Sequence, residues 1–270
     1  MVIQHNLTAM NTNRQLGIST DTLATSTEKL SSGYRINRAA DDAAGLAISE
    51  KMRSQIRGLS QASTNAQDAV SLVQIAEGAL NESHDILQRM NELSTQAAND
   101  TNTSTDRDAI QLEMDALVSE INRIQSTTQF NTMNLLDGTF NSKNLQVGSL
   151  AGQKIEIEID NMNASSLGVN NLSVSSFSAA GAAMTATQAA IDSVSMQRAA
   201  LGALQNRLEH TIKNLDTTAE NTSAAESRIR DTDMAEEMVT YSNTSILAQA
   251  GQSMLAQANQ ANQGVLTLLG

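Results

Sequence analysis

The sequence lacks the residues that most often interrupt helices or fill thick cores. Its 270 residues contain no proline, no cysteine and no tryptophan, and aromatic residues make up only 2%. Average usage would predict about a dozen prolines, and proline interrupts helices, so its absence allows helices to run long. Aromatic side chains supply much of the bulk of compact cores. Their scarcity favours thin helical interfaces of Ala, Leu, Ile, Val and Met, as in bundles and coiled coils.

The same absences, together with the acidic charge, exclude several classes of function. A chain without cysteine forms no disulfide, no thiolate nucleophile and no cysteine-ligated metal centre. The net charge of −12 argues against a general nucleic-acid binder, which needs a basic face. Charged residues make up 17% of the chain, below the usual quarter. The resulting neutral polar surface suits close association with copies of the same chain, because it carries few strong like-charge repulsions.

Neither a cleaved signal peptide nor a membrane span is expected. The first residues lack a basic cluster followed by an apolar run of signal length. No segment reaches the roughly 18 uninterrupted apolar residues of a membrane helix. We therefore expect no membrane partner, and a dedicated export route if the protein leaves the cell.

Helical periodicity dominates the first half of the sequence. The N-terminal heptad stripe consists of Leu16, Leu23 and Leu30. A longer apolar stripe predicts one helix from about 44 to 99, about 80 Å long and bent at most near Gly58 and Gly78. The polar segment 99–106 predicts a turn that ends with capping residues. We expect the next helix to fold back against the long one.

The pattern changes between about residues 130 and 180. Residues 154–160 alternate apolar and charged side chains with period two, which predicts a strand with one buried face. Residues 145–147 are the expected partner strand, and residues 161–182 are expected to form a loop rich in Ser, Asn and Gly. The sequence therefore predicts a small β-hairpin. Its solvent-facing acidic side chains are Glu156, Glu158 and Asp160.

Heptad repeats return in the last third of the chain. One stripe is regular enough to predict a coiled-coil seam, and it consists of Val194, Leu201, Leu208, Leu215 and Ile229. The last helix has a second stripe, with Leu247, Met254, Ala261 and Leu268 seven residues apart. We expect a mainly α fold, in which the N- and C-terminal arms pair as a long antiparallel, coiled-coil rod. The small β-hairpin region lies at its distal end.

Several stretches resemble the signature sequences of bacterial flagellins. The N-terminal signature matches residues 30–49, which begin Leu-Ser-Ser-Gly-Tyr-Arg-Ile-Asn-Arg-Ala-Ala-Asp-Asp. Further matches follow in the same order at residues 87–99, 128–131 and 201–208, and near the C-terminal end. Many flagellins insert large variable domains between their two arms, where this chain has only about 50 residues. The chain is thus similar to a short flagellin that lacks the variable outer domains.

The resemblance implies a structural subunit that polymerises into the helical filament of the bacterial flagellum. It implies export through the flagellar channel to an extracellular position, an export chaperone and cap or junction proteins as partners, and no cofactor. It also divides the chain into three regions. These are terminal helices of the inner filament core (1–43 and 232–270), a helical rod domain (44–130 and 181–231) and the small hairpin region (131–180). A soluble monomer should leave the terminal helices poorly ordered, because each is marginal without a partner.

The terminal helices are the predicted assembly surface. They expose Gln, Asn, Thr and Ala on their remaining faces and few charges, which favours packing between subunits over solvation. Two adjacent carboxylates at a helix start look catalytic at first, but capping or binding to a neighbouring subunit explains them better. The predicted self-assembly residues are Leu16, Leu23, Leu30, Asp41, Asp42, Leu247, Met254 and Leu268.

The resemblance implies one further partner, the innate immune flagellin receptor of animals. In flagellins that this receptor recognises, the helix around a Leu-Gln-Arg stretch supplies the contact with the receptor. The matching positions are Leu87, Gln88, Arg89, Leu93, Glu113 and Ile191. Arg89 is the candidate hot spot, because its planar guanidinium is rigid and makes several hydrogen bonds. The alternative is an ordinary exposed Arg89–Glu113 ion pair, which would contribute little.

Enzymatic interpretations find little support. His5, His84 and His210 lie far apart and match no metalloprotease pattern. The acidic strand face admits a paired-carboxylate or cation site, but the solvated side of a half-buried strand explains it better. We expect no catalytic residue and no metal. Two other functions stay open: a hook–filament junction protein, and a helical scaffold or adhesin that forms a discrete oligomer.

Overall fold

The computed structural model describes the backbone of residues 5–269 and the side chains of residues 5–260. The helices are α1 (Leu7–Ser32), α2 (Ala43–Ala97), α3 (Ser104–Thr127), α4 (Phe177–Arg230) and α5 (Met234–Leu269). The strands are β1 (Gln129–Phe130), β2 (Met133–Asn134), β3 (Lys143–Gln146) and β4 (Lys154–Ile157), and they form two antiparallel pairs. The predicted mainly α class is confirmed. No helix in the described part combines the length and the apolar character that membrane spanning requires.

The chain forms two compact units. The end unit combines the two ends of the chain, up to Ser54 and from Asn221 onward. The central unit comprises Gln55–Glu220. The end unit contains α1 and α5, and the central unit contains α3 and all four strands.

In the end unit, α1 and α5 pack side by side in opposite directions. At the start of α1, the Asn6 side-chain amide donates to the Ala258 carbonyl at 3.0 Å. At the other end of α1, the Ser26 hydroxyl donates to the Glu237 carboxylate, which also lies 3.8 Å from the Lys29 ammonium group. The antiparallel pairing predicted for the two terminal arms is therefore confirmed.

The connections that follow α1 and α4 are joined to each other. Gly33 ends α1 in the left-handed region, at a φ of 76°, which glycine adopts without steric cost. The Arg35 N–H donates to the Arg230 carbonyl at 2.7 Å. The Arg230 guanidinium lies 4.6 Å from the centre of the Tyr34 ring and donates to Glu50 at 2.9 Å. This hydrogen bond from Arg230 lowers the pKa of Glu50.

The core of the central unit lies where α2, α3 and α4 pack against the segment between α3 and α4. α2 is continuous through Gly58 and Gly78, so the predicted long helix has no break at either glycine. A Cβ at Gly58 would lie 2.8 Å from the Ser149 Cβ, and glycine there lets the β3–β4 turn pack against α2. The largest fully buried side chains of the unit are Leu80, Leu87, Met90, Leu93, Met114, Ile121, Leu135, Leu136, Ile157, Ile159 and Leu201.

The predicted hairpin is confirmed, with two differences at its borders. β3 and β4 pair in register at Leu145 and Ile155, but β4 ends at Ile157, since the Ile159 N–H donates to the Phe140 carbonyl at 3.2 Å. The loop expected to reach residue 182 ends earlier, because α4 begins at Phe177. The first turns of α4 bury alanines instead of large side chains, so the sequence there shows no clear helical periodicity of large apolar residues.

A second, shorter hairpin is formed by β1 and β2. The pairs Gln129–Asn134 and Phe130–Met133 leave a two-residue loop of Asn131 and Thr132, at φ values of 47° and 64°. Positive φ at both positions is the pattern of the type I′ turn, which favours Asn-Gly. Thr132 is β-branched, and the left-handed region crowds its Cβ.

Thr132→Gly is expected to stabilise the central unit. Glycine removes the steric cost of the left-handed conformation and completes an Asn-Gly turn, so the free energy of unfolding should rise by about 0.5–1 kcal/mol. Urea denaturation of the full chain, followed by circular dichroism, measures the change. The control is Thr128→Gly at a φ of −75°, which should lower the free energy of unfolding. A lower free energy of unfolding for both variants would contradict the assignment of backbone strain to Thr132.

A reciprocal pair of hydrogen bonds between Thr103 and Asp106 caps the N-terminus of α3. The Asp106 N–H donates to the Thr103 hydroxyl at 3.3 Å, and the Thr103 N–H donates to the Asp106 carboxylate at 2.9 Å. This is the capping box, which satisfies donors that the first turn leaves without partners. The Thr103 backbone bond, followed by that of its hydroxyl, lowers the pKa of Asp106 from 3.8.

Asp106→Asn is expected to destabilise the central unit at neutral pH and to make no difference in strong acid. A folded-state pKa below the unfolded value gives stability that is present above pH 3.8 and is lost as the pH falls through the folded value. Urea denaturation at pH 7 and below pH 3 measures both limits. Asp108→Asn, at an exposed position later in α3, is the matched control and should show a smaller pH-dependent difference. An equal difference in the free energy of unfolding between Asp106→Asn and the native chain at both pH values would contradict the prediction.

Candidate assembly surface

The seam between α1 and α5 is lined by small and polar side chains. The buried residues of α1 are Ser19 and Ser26, which are 8% and 2% exposed, and α5 contributes the buried Thr244. The Ser19 hydroxyl donates to the Gln15 carbonyl at 3.1 Å, and the Thr244 hydroxyl donates to the Thr240 carbonyl at 2.8 Å. Ser19 and Thr244 are therefore satisfied within their own helices, whereas Ser26 donates across the seam to Glu237 of α5. The seam itself buries little large apolar surface.

The large apolar side chains of both helices are exposed instead. They are Leu7, Met10 and Ile18 on α1, and Met234, Met238, Val239, Ile246, Leu247 and Met254 on α5. At 100° per residue, positions 234 and 238, 239 and 246, and 247 and 254 fall on three different sides of α5. A helix that is apolar on several sides is normally buried on those sides. An exposed apolar surface of this kind marks an interaction site.

The predicted leucine stripe of α1 lies at the edge of the seam. Leu16, Leu23 and Leu30 are all half-buried, and Leu16 lies beside Gly251 of α5, where an added Cβ would be 3.4 Å from the leucine Cδ1. Leu247 and Met254 are exposed. The predicted position Leu268 lies outside the residues whose side chains the structure describes. The predicted assembly residues therefore include this half-buried stripe, and they do not include the exposed Met10, Met234, Met238, Val239 and Ile246.

Asp41 and Asp42 shape the chain before α2. The Asp41 carboxylate accepts from the N–H groups of Arg38 at 2.9 Å and Asn37 at 3.0 Å. These bonds, the one from Arg38 first, lower the pKa of Asp41. Asp42 accepts from the Gly45 N–H at 2.8 Å, as a residue at a helix N-terminus does. Both carboxylates are exposed, so each holds the local turn and still faces solvent.

The predicted receptor residues divide into a buried and an exposed set. Leu87 and Leu93 lie fully in the core, and Ile191 is half-buried against it. Gln88, Arg89 and Glu113 are exposed on the neighbouring helices α2 and α3. Only the exposed set presents side chains to a partner.

Arg89 joins α2 and α3 at the exposed set. Its Nε donates to Glu113 at 3.0 Å, and its terminal nitrogens lie 2.9 Å from Glu113 and 3.1 Å from Glu92. The hydrogen bond with Glu113, followed by that with Glu92, raises the pKa of Arg89. Arg89 is therefore held in one position, with its planar group accessible.

The remaining candidate residues form no catalytic or metal-binding arrangement among the described side chains. Glu156, Glu158 and Asp160 are exposed along β4 and the residue positions that follow it. His84 lies 2.8 Å from the Gln88 amide. Among the side chains that the structure describes, no group of three or more histidines and carboxylates is placed to hold a metal ion.

Comparison with known proteins relates both ends of the chain to one family. Residues 3–141 match the bacterial flagellin N-terminal helical region, and residues 184–269 match the bacterial flagellin C-terminal helical region. The chain is 55% identical to flagellin of Halalkalibacterium halodurans over 271 aligned residues and 51% identical to flagellin of Bacillus subtilis over 304. Both alignments cover the whole of each chain.

A solved structure agrees with this relation. The crystal structure of Bacillus cereus flagellin is 33% identical to the chain, with a TM-score of 0.52. The match covers 60% of this chain and 94% of that one. The chain therefore belongs to the bacterial flagellins, and it is a structural subunit of the flagellar filament rather than an enzyme.

Proposed function

We propose that the chain polymerises through the outer faces of α1 and α5. The observation that carries the proposal is the arrangement of these helices, with small polar residues at their shared seam and large apolar residues outside it. A pair that only had to fold on itself would bury its leucines and methionines and expose its serines. The reverse arrangement suits a pair whose outer faces are covered by other copies of the chain.

The energetics require that several of these side chains become buried together. Complete burial of one Leu, Ile or Met contributes about 1.5–3 kcal/mol, and association costs about 4–15 kcal/mol in lost freedom of motion. One contact would not hold two subunits, whereas a continuous apolar face would. Residues 241–270 contain no charged side chain, so no like-charge repulsion arises between stacked copies of this segment.

The same surface suggests how the chain is divided and which partners it meets. The terminal segments 1–43 and 232–270 would form the inner filament core, residues 44–130 and 181–231 the helical rod domain, and residues 131–180 the hairpin region. The apolar face of α5 also needs cover before assembly. An export chaperone, and later the cap or junction proteins at the filament tip, would supply that cover.

Leu247→Ser is expected to raise the critical concentration for polymerisation at least about tenfold. The variant loses most of the burial energy of one leucine in each subunit contact, and 1.4 kcal/mol corresponds to a factor of about ten. Seeded polymerisation followed by sedimentation measures the change, and electron microscopy identifies filaments of flagellar width.

The matched control for this prediction is Leu112→Ser. Leu112 is exposed on α3, so the control makes the same change outside the terminal helices. Normal assembly of Leu247→Ser together with loss of assembly in Leu112→Ser would move the interface away from α5. Closed small oligomers of the native chain, in place of filaments, would support the scaffold alternative.

We also propose that the exposed set around Arg89 contacts the innate immune flagellin receptor of animals. Support comes from the rigid placement of Arg89 between Glu92 and Glu113, and from the accessible Gln88 beside it. Leu87 and Leu93 would act indirectly, by anchoring this side of α2 in the core. Ile191, half-buried on α4, would act in the same way.

Arg89→Ala is expected to weaken receptor binding by about tenfold or more, the range of an arginine hot spot. Surface plasmon resonance with the receptor ectodomain measures the affinity, and circular dichroism checks that the variant is folded. Arg123→Ala is the matched control, because Arg123 is an exposed arginine of α3 paired with Glu120 at 2.5 Å. Equal affinities of Arg89→Ala and the native chain would reject Arg89 as a contact.

A further inference from the structure

Methionines are unevenly distributed over the surface of the chain. Four strongly exposed ones lie in or at the start of the terminal helices: Met10, Met234, Met238 and Met254 are 64%, 50%, 54% and 60% exposed. Two more, Met133 and Met196, are exposed in the central unit. By contrast, the core methionines Met90, Met114 and Met162 are at most 5% exposed. The thioether groups open to solvent are thus concentrated on the helices proposed to polymerise.

The four exposed methionines belong to the apolar surface of these helices. Met234 and Met238 are four residues apart and lie on one side of α5, and Met254 lies seven residues after Leu247 on another. Met10 lies on α1 between the exposed Leu7 and Ile18. Each methionine would therefore become buried if the apolar faces around it were covered.

Exposed thioethers react with peroxides without help from a catalyst. The sulfur lone pair attacks one oxygen of hydrogen peroxide, an S–O bond forms as the O–O bond breaks, and water leaves after proton transfer. The sulfur is oxidised by two electrons and the peroxide is reduced by two. The product is a methionine sulfoxide, a polar and chiral group in place of an apolar one.

We propose that Met10, Met234, Met238 and Met254 are an oxidation-sensitive set whose sulfoxides block polymerisation. The inference rests on the proposed role of α1 and α5 in assembly. A sulfoxide carried into an apolar contact loses its hydrogen bonds to water without gaining protein partners, which is unfavourable. The free subunit is the vulnerable form, and the polymer shields the four sulfurs. Reduction of the sulfoxides by methionine sulfoxide reductases restores assembly.

The test compares oxidised and untreated full-length protein. Monomer is treated with hydrogen peroxide, the reaction is quenched, and peptide mass spectrometry locates the sulfoxides. We expect oxidation at the four methionines of the set and at the exposed Met133 and Met196, and little at Met90, Met114 and Met162. The critical concentration for seeded polymerisation should rise at least about tenfold, while the far-ultraviolet circular dichroism of the monomer stays unchanged. Treatment with the two epimer-specific reductases should reverse the rise.

Two variants separate the set from the other methionines. The Met10→Leu, Met234→Leu, Met238→Leu, Met254→Leu variant keeps apolar side chains of similar volume and should polymerise normally after peroxide. The Met133→Leu, Met196→Leu variant keeps the set and should stay as sensitive as the native chain. Equal sensitivity of the fourfold variant and the native chain would overturn the proposal.

A second measurement decides the matter if the fourfold variant does not assemble even without oxidant. Peroxide is then applied to native filaments, where we expect oxidation of the four methionines to be at least about tenfold slower than in monomer. Equal rates in both forms would overturn the proposal. Failure of untreated native protein to polymerise would instead reject the assembly role of α1 and α5. Normal polymerisation of protein oxidised at all four positions would reject only the oxidation-sensitive set.

Discussion

The arrangement of α1 and α5 depends on one constraint: two helices share only one seam, and both are apolar on more sides than that seam can cover. Ser19, Ser26 and Thr244 lie inside it, with leucines at its edge and methionines outside. Hydrophobic burial within one chain is therefore incomplete. In the proposed assembly, other copies cover the remaining apolar surface, so the stability of these helices increases when the polymer forms.

The central unit solves the same problem within one chain. There α2, α3 and α4 meet the segment between α3 and α4, so that Leu87, Met114 and Leu201 are covered without help from another subunit. A sequence with few aromatic residues can therefore form both a covered core in the central unit and exposed apolar helices in the end unit. In the central unit, narrow interfaces between three helices are enough to bury a core. In the end unit, the single interface between α1 and α5 leaves large apolar side chains exposed.

The sequence predicted the features that depend on regular spacing of large side chains. Heptads rich in leucine located α1 and α4, a mixed apolar stripe located α2, and the alternation around Ile155 located the larger hairpin. Features made by small or polar residues were not predictable in this way. The β1–β2 turn at Asn131 and Thr132 lacks the glycine that usually marks it, and the alanines at the start of α4 resemble a loop. The burial of Ser19 and Ser26 is equally hidden, because periodicity of hydrophobic residues favours leucine for a seam.

The division of charge completes the physical argument for assembly. Of the net charge of −12, the end unit carries −2, from eight basic and ten acidic side chains, and the central unit carries −10, from nine basic and nineteen acidic ones. Within the end unit, α1 and α5 together contain only six of the 18 charged side chains. Outside these two helices, Arg230, Glu50 and Asp41 are paired or hydrogen-bonded. In the proposed assembly, copies approach closely along these sparsely charged helices, and the acidic central unit opposes disordered association of free subunits. The apolar surfaces that favour association thus lie in the end unit, and most of the negative charge that opposes it lies in the central unit.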